Sequence, residues 1–228
     1  MTIIFIHGAL GCAHDFDACI QALQTKGFNC RCLELSGHGS TAFADNFSIE
    51  QFTIELQSAL ENFSPTNTLL FGYSMGGYVI LSYLSKNKQI NFPFMTLATK
   101  WHWTQEIAQR EKTLCNKAFL LEKAAAYYQA LQHKHANCDR LLEHTAGLIE
   151  SLGNAVKPDL AGLLTKGKIM RGSLDKMVTE EESLALTAQL ANAEFETLPQ
   201  IKHPFDTVDT DLLVEKITSF AQQVLSAE

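Results

Sequence analysis

The sequence predicts an α/β architecture: a short, mostly parallel sheet of about six strands with helices on both faces. Three observations carry this expectation. Apolar, β-branched runs alternate with segments of helical period through the first hundred residues, and the alternation resumes at Lys168. The glycine-boxed serine Gly72-Tyr73-Ser74-Met75-Gly76 stands between an apolar run, Thr68-Leu69-Leu70-Phe71, and a helical one, Tyr78-Val79-Ile80-Leu81. Finally, residues able to do chemistry (His7, Ser74, Asp175 and His203) fall where the strands end, and reactive groups gather at the C-terminal strand ends of open parallel sheets.

Thr2 to Ile6 is a continuous β-branched and aromatic run, as expected of a strand buried on both faces. It gives way to the small-residue loop His7-Gly8-Ala9-Leu10-Gly11. Residues 14–26 carry Phe16, Ile20 and Leu23 at helical spacing, and Gly27 closes that helix. Phe28 to Leu35 reads as a second strand. A helix follows from about Ser48 to Glu61, with Ser48 as its cap and Gln51 completing a capping box. Pro65 and Asn67 turn the chain into the strand before Ser74, and a helix is expected from Met75 to about Ser85.

Asn91 to Ala98 reads as the next strand, with Pro93 tolerable only near its start. Between about Trp103 and Leu164 no strand candidate of comparable quality appears. The runs 119–131 and 139–149 are strongly helical, so a helical cap inserted into one domain at about 103–164 is expected. A strand at Lys168 to Arg171, a helix from Thr179 to Leu190, a strand at Glu194 to Leu198 and a helix from Val208 to Val224 complete the pattern. The strand–helix alternation implies parallel βαβ units with right-handed crossovers.

At 228 residues the chain fits one domain with a substantial core. Its formal net charge of −7 argues against a nucleic-acid or anionic-membrane partner. No stretch approaches the roughly 20 apolar residues of a membrane-spanning helix. Met1 to Ile6 carries no basic region of the kind a signal peptide has, so a cytoplasmic location is expected. The six cysteines lack C-x-x-C spacing and are expected to be reduced, mostly buried thiols. Cys30 and Cys32 are expected on opposite faces of their strand. No metal site is expected, because His133 and His135 stand two apart on a helix and face different ways.

A serine boxed by glycines between strand and helix is the nucleophile-elbow pattern, in which a tight turn lifts the hydroxyl above the sheet edge. The order Ser74, Asp175, His203, together with His7-Gly8-Ala9-Leu10-Gly11 and Leu35-Ser36-Gly37-His38-Gly39-Ser40, resembles the α/β-hydrolase family over nearly the whole chain. Gly172-Ser173-Leu174-Asp175 after the penultimate strand and His203 after the last complete the resemblance. Ser36 departs from the family's proline, and the chain opens at the family's third strand, so the resemblance implies a short sheet with an edge strand near Phe28 to Leu35 and strand order 2-1-3-4-5-6.

The resemblance implies an α/β-hydrolase fold and a cofactor-independent serine hydrolase acting on a small ester or thioester. Ser74 would be the nucleophile and His203 its base, because an imidazole titrates near neutral pH. Asp175 would hold the imidazole tautomer. The backbone N–H groups of Ala9 and Met75 would form the oxyanion hole. Leu10, Trp101 and Trp103 are candidate substrate contacts, while His7 and His38 are expected to be structural. A C–C hydrolase, a lyase of the menaquinone-pathway type, a cofactor-free haloperoxidase and a non-catalytic ligand-binding module remain open.

Overall fold

The computed structural model describes residues 1–226. Six parallel strands form one sheet: β1 (Thr2–Ile6), β2 (Asn29–Leu33), β3 (Thr68–Tyr73), β4 (Phe94–Leu97), β5 (Gly167–Gly172) and β6 (Ala193–Leu198). They lie in the order β2-β1-β3-β4-β5-β6, as expected. Register places Ile6 beside Leu33 and Gly72, so the C-terminal ends of β1, β2 and β3 open onto one edge.

Strand pleat divides the core into two layers. Ile3 and Phe5, Leu69 and Phe71, and Met95 and Leu97 face one side. There they meet helices α1 (Asp17–Thr25) and α9 (Thr210–Leu225) through Leu23, Ile217 and Phe220. Ile4, Ile6, Leu70, Phe94 and Ile169 face the other. They pack on α2 (Ile49–Leu60), α3 (Met75–Lys86) and α8 (Glu180–Thr187) through Phe52, Leu56, Val79 and Leu186.

Cys30 and Cys32 both pack against the α1/α9 layer, contrary to the expectation of opposite faces. Residues two apart on a strand share a face. All six cysteines are free, and four of them are buried. Burial pushes the Cys19 thiol up to about 12 and the Cys30 thiol to about 11, keeping both unreactive.

Local sequence signals explain most boundaries. Ser48 caps α2 by accepting from the Gln51 N–H at 3.2 Å. The box is not reciprocated, however, because the Gln51 amide donates to Glu55 instead. The other Glu55 oxygen accepts the Ser36 N–H at 3.0 Å. Ser36 supplies an N–H that a proline there would lack. Strand β4 starts after Pro93, whose carbonyl accepts the Leu70 N–H.

Four helices stand between β4 and β5: α4 (Gln105–Lys112), α5 (Lys117–Lys123), α6 (Ala125–Lys134) and α7 (Cys138–Leu152). The run 119–131, expected as one helix, breaks at Ala124 (φ −149°, ψ 46°). Alanine is the best helix former, so packing has overridden propensity here. Leu120 on α5 and Tyr128 and Leu131 on α6 converge on a small core of their own with Leu141 and Leu142 of α7. Leu10, from the loop after β1, belongs to that same core.

The rings of Phe5, Phe16 and Phe71 pack with centroids 5.0–6.0 Å apart under the β1–β3 pair. Phe71→Ala should therefore cost about 3–5 kcal/mol in urea unfolding. A loss below about 1 kcal/mol would show that the site collapses and that this cluster does not anchor the sheet.

Candidate active site

Ser74 follows the last residue of β3 and precedes the first of α3, with φ 50° and ψ −114°. A non-glycine residue held there is strained by roughly 1–3 kcal/mol. Its neighbours impose that conformation. The Ser74 N–H donates to the Leu97 carbonyl at 2.8 Å, and Thr99 Oγ1 donates to the Ser74 carbonyl at 3.1 Å. The turn is so tight that a Cβ on Gly76 would lie 2.1 Å from the Ile6 carbonyl oxygen. One on Gly72 would lie 2.5 Å from the Gly77 nitrogen. The glycines are the steric condition for the turn, and the turn places Ser74 Oγ at the N-terminus of α3.

The loop after β6 brings His203 to the serine, with Nε2 3.3 Å from Ser74 Oγ. His203 Nδ1 lies 2.9 Å from Asp175 Oδ2. Asp175 ends the turn after β5, and its other carboxylate oxygen accepts the Met177 and Val178 N–H groups at 2.8 and 2.9 Å. Burial would raise the Asp175 pKa, but the His203 hydrogen bond, its charge and the two backbone donors outweigh it and lower the value. Tyr73 Oη donates to the His203 carbonyl, and its ring packs on Phe205. Asp209 caps α9 by accepting the Leu212 N–H at 2.9 Å.

Three charged groups that sequence reasoning did not single out hold the Asp175 loop. The Arg171 guanidinium, buried at the end of β5, donates to the Asp175 and Val178 carbonyls and pairs with Glu180. Lys100 Nζ donates to the Met177 carbonyl at 2.9 Å and lies 3.3 Å from the buried Glu182 carboxylate. Glu182 also accepts the Trp101 and His102 N–H groups. A signal did exist: Arg171 and Lys100 are charges set at the ends of apolar central strands, where an unpaired charge would be costly.

Of the remaining expected site residues, Ala9 and Met75 flank the serine's edge of the sheet. Among the described residues neither of their N–H groups has a protein acceptor. Leu10 is buried with φ 58°. Trp101 is only 2% exposed, packs 5.0 Å from the Tyr78 ring, and leaves Nε1 without a partner. Trp103 is half-buried, its Nε1 donating to the Lys100 carbonyl. His7 is buried between the Gly8 carbonyl and the Leu35 N–H. His38 stacks on Phe47 and engages only the Ser36 carbonyl. A cleft of about 450 Å³ lies apart from Ser74, between Phe47 and His144 and Leu148 of α7. Among the described residues no three His, Cys, Asp or Glu side chains converge to hold a metal ion.

A family model described as alpha/beta hydrolase fold matches residues 2–110. The sheet order, the serine turn and the structural neighbours agree with it. The chain is an α/β hydrolase by fold. An esterase from Exiguobacterium antarcticum superposes with a TM-score of 0.81 at 15% identity, covering 97% of this chain and 92% of that one. MenH from S. aureus superposes at 0.76 with 18% identity, over 98% and 94% of the two chains. In sequence, a Haemophilus influenzae protein named "Putative 2-succinyl-6-hydroxy-2,4-cyclohexadiene-1-carboxylate synthase" is 38% identical over 89 residues. That match spans 36% of this chain and only 33% of the relative.

In this hydrolase fold the serine, imidazole and carboxylate form one hydrogen-bonded chain beside two unpartnered backbone donors and the positive end of a helix. Such an arrangement can activate a hydroxyl and stabilise an oxyanion. No helix among the described residues is long and apolar enough to cross a membrane.

Two expectations follow from the buried charges. Glu182→Gln, which strips the partner from buried Lys100, should destabilise the fold by roughly 3–5 kcal/mol in urea unfolding; an unchanged midpoint would mean the pair is solvated. Burial, with the neighbouring His7 charge, drives the His38 pKa well down, and burial lowers that of His135. Unfolded imidazoles bind protons below about pH 6.5 and these folded ones only at lower pH, so the unfolded state gains protons first and stability falls as pH drops. The urea midpoint should decline between about pH 6.5 and 5, above the carboxylate range in which Asp175 contributes. His38→Asn, which keeps an amide donor near Nδ1 but does not titrate, should flatten that decline; a midpoint constant from pH 7.5 to 5 would contradict it.

Proposed function

We propose that the protein is a serine hydrolase that cleaves a carboxylic ester or thioester through an acyl-enzyme on Ser74. The observation that carries this reading is the continuous hydrogen-bonded chain from Ser74 Oγ through His203 to Asp175. Ser74 Oγ attacks the acyl carbonyl as its proton passes to His203 Nε2. Asp175 holds the Nδ1–H and offsets the charge on the imidazolium. The oxyanion accepts from the Ala9 and Met75 N–H groups. His203 then protonates the departing alcohol or thiol as the tetrahedral species collapses, leaving the acyl group on Ser74. Water, deprotonated by His203, attacks that ester, and the carboxylic acid leaves as Ser74 regains its proton.

In this reading the chain is one domain and helices α4–α7 are its cap, with Leu10 and the Trp101–Trp103 segment lining the route between them. Lys100 and Arg171, the buried cations beside the site, are already paired with Glu182 and Glu180. This favours an uncharged acyl group over a substrate rich in carboxylates.

A second reading has its own support. The Haemophilus relative and the MenH neighbour carry names other than esterase, and the same triad can serve as a base for elimination. No acyl-enzyme then forms.

Intact-protein mass after fluorophosphonate treatment tests the activated serine, with one adduct expected on wild type and none on Ser74→Ala. A pre-steady-state burst with p-nitrophenyl butyrate then separates the two readings. A burst supports ester hydrolysis, whereas an adduct without any acyl turnover supports elimination. Absence of the adduct would overturn both. Asp175→Asn should lower kcat on the order of 10⁴-fold, by leaving the imidazole in the wrong tautomer.

A further inference from the structure

The loop that carries Ala9 is not held by its own strand alone. Leu10 sits in the left-handed region at φ 58°, a conformation that a leucine keeps only when its surroundings impose it. Its carbonyl lies 3.0 Å from His135 Nε2, across 125 residues of sequence. His135 closes α6 and is buried. Its other nitrogen, Nδ1, accepts the Gly39 N–H at 2.9 Å. An imidazole nitrogen that accepts from a backbone amide carries no proton, so Nε2 carries it and donates to Leu10.

The ring therefore ties two core loops, those after β1 and β2, to the end of α6. Its neighbours reinforce the tie. The Ala136 N–H donates back to the Gly39 carbonyl at 2.8 Å. Lys134 Nζ reaches Asp15 Oδ1 at 2.5 Å, and the other Asp15 oxygen accepts the Cys12 N–H at 2.9 Å. Residues 10, 12 and 39 are all fixed from one short stretch, 134–136.

We propose that His135 is a positioning residue that sets the oxyanion loop, so that the helical insertion determines the aim of the Ala9 N–H. This rests on the reading of Ser74 as nucleophile and adds to it a residue far from the chemistry in sequence. The physical basis is that a donor must point at the developing oxyanion, and a displacement near 1 Å can cost on the order of 100-fold in rate. Leu10, the residue after that donor, is held in its strained conformation by the His135 N–H.

The two amide side chains divide the ring's functions. Asn places an oxygen near Nδ1 and keeps the Gly39 bond but not the Leu10 bond. Gln places an N–H near Nε2 and keeps the Leu10 bond but not the Gly39 bond. With p-nitrophenyl butyrate, His135→Asn should lower kcat about 10- to 100-fold with KM changed less than about 3-fold. His135→Gln should recover most of kcat, although both variants melt at lower temperature. Amide hydrogen exchange at Gly11, whose N–H donates to the Gly8 carbonyl, should speed up in His135→Asn and not in His135→Gln. Should His135→Asn fail to fold, Lys134→Met is read by the same two measurements, with smaller changes in the same direction.

Equal kcat in both His135 variants, or exchange at Gly11 unmoved by either, would overturn the proposal. If wild type turns over no ester, the exchange measurement alone decides. Faster exchange in the Asn variant then upholds the strap while the hydrolase reading falls.

Discussion

The close approach of the β3–α3 turn to the end of β1 is the constraint on which the site depends. With the Ile6 carbonyl oxygen 2.1 Å from where a Gly76 Cβ would stand, the helix can start only if that position is bare. The contact fixes the angle at which α3 leaves the sheet, and so where its first N–H groups point. It also forces Ser74 into a positive φ that a serine would leave if the flanking hydrogen bonds to Leu97 and Thr99 were released. The proposed nucleophile, the helix dipole and one proposed oxyanion donor are thus products of a single steric condition.

The partners of Ser74 reach it by a different means. Buried charges hold the Asp175 loop in place. Arg171 and Lys100 donate to three carbonyls of residues 175–178. A buried ion pair such as Lys100–Glu182 contributes little net stability, since desolvation offsets most of its attraction. What it supplies is directional: a well-defined donor geometry where packing alone would allow several. That distinction explains why polar groups cluster behind Asp175 while the β1–β3 core is built of phenylalanine, leucine and isoleucine.

Whatever depends on near neighbours in sequence was legible in it. The strands, the elbow and the residues at the strand ends follow from runs, turns and spacing, the strand order follows from the family resemblance, and Ser48 caps its helix as expected. What was misread or missed depends on distant partners. Gln51 turns from its box because Glu55 is engaged with Ser36. The helix over 119–131 breaks because its two halves share a core with Leu10. His135 looked like one of two unrelated helix histidines, yet its partners lie 96 and 125 residues away. The placement of Cys30 and Cys32 failed differently, since the strand period itself puts both on one face.

The insertion's dependence on the core also runs in the opposite direction. Leu10 is a member of the small core formed by α5, α6 and α7, so those helices complete their packing with a side chain borrowed from the loop beside Ser74. Helices that met the sheet only through their own surfaces could shift as a rigid lid without disturbing what lies beneath. These cannot: moving them exposes Leu10, breaks the His135 and Ala136 hydrogen bonds, and releases a strained backbone. Helices α5–α7 and the proposed oxyanion loop are therefore one mechanical unit. Sequence change in α5–α7 is constrained at every step by the need to keep Leu10 covered.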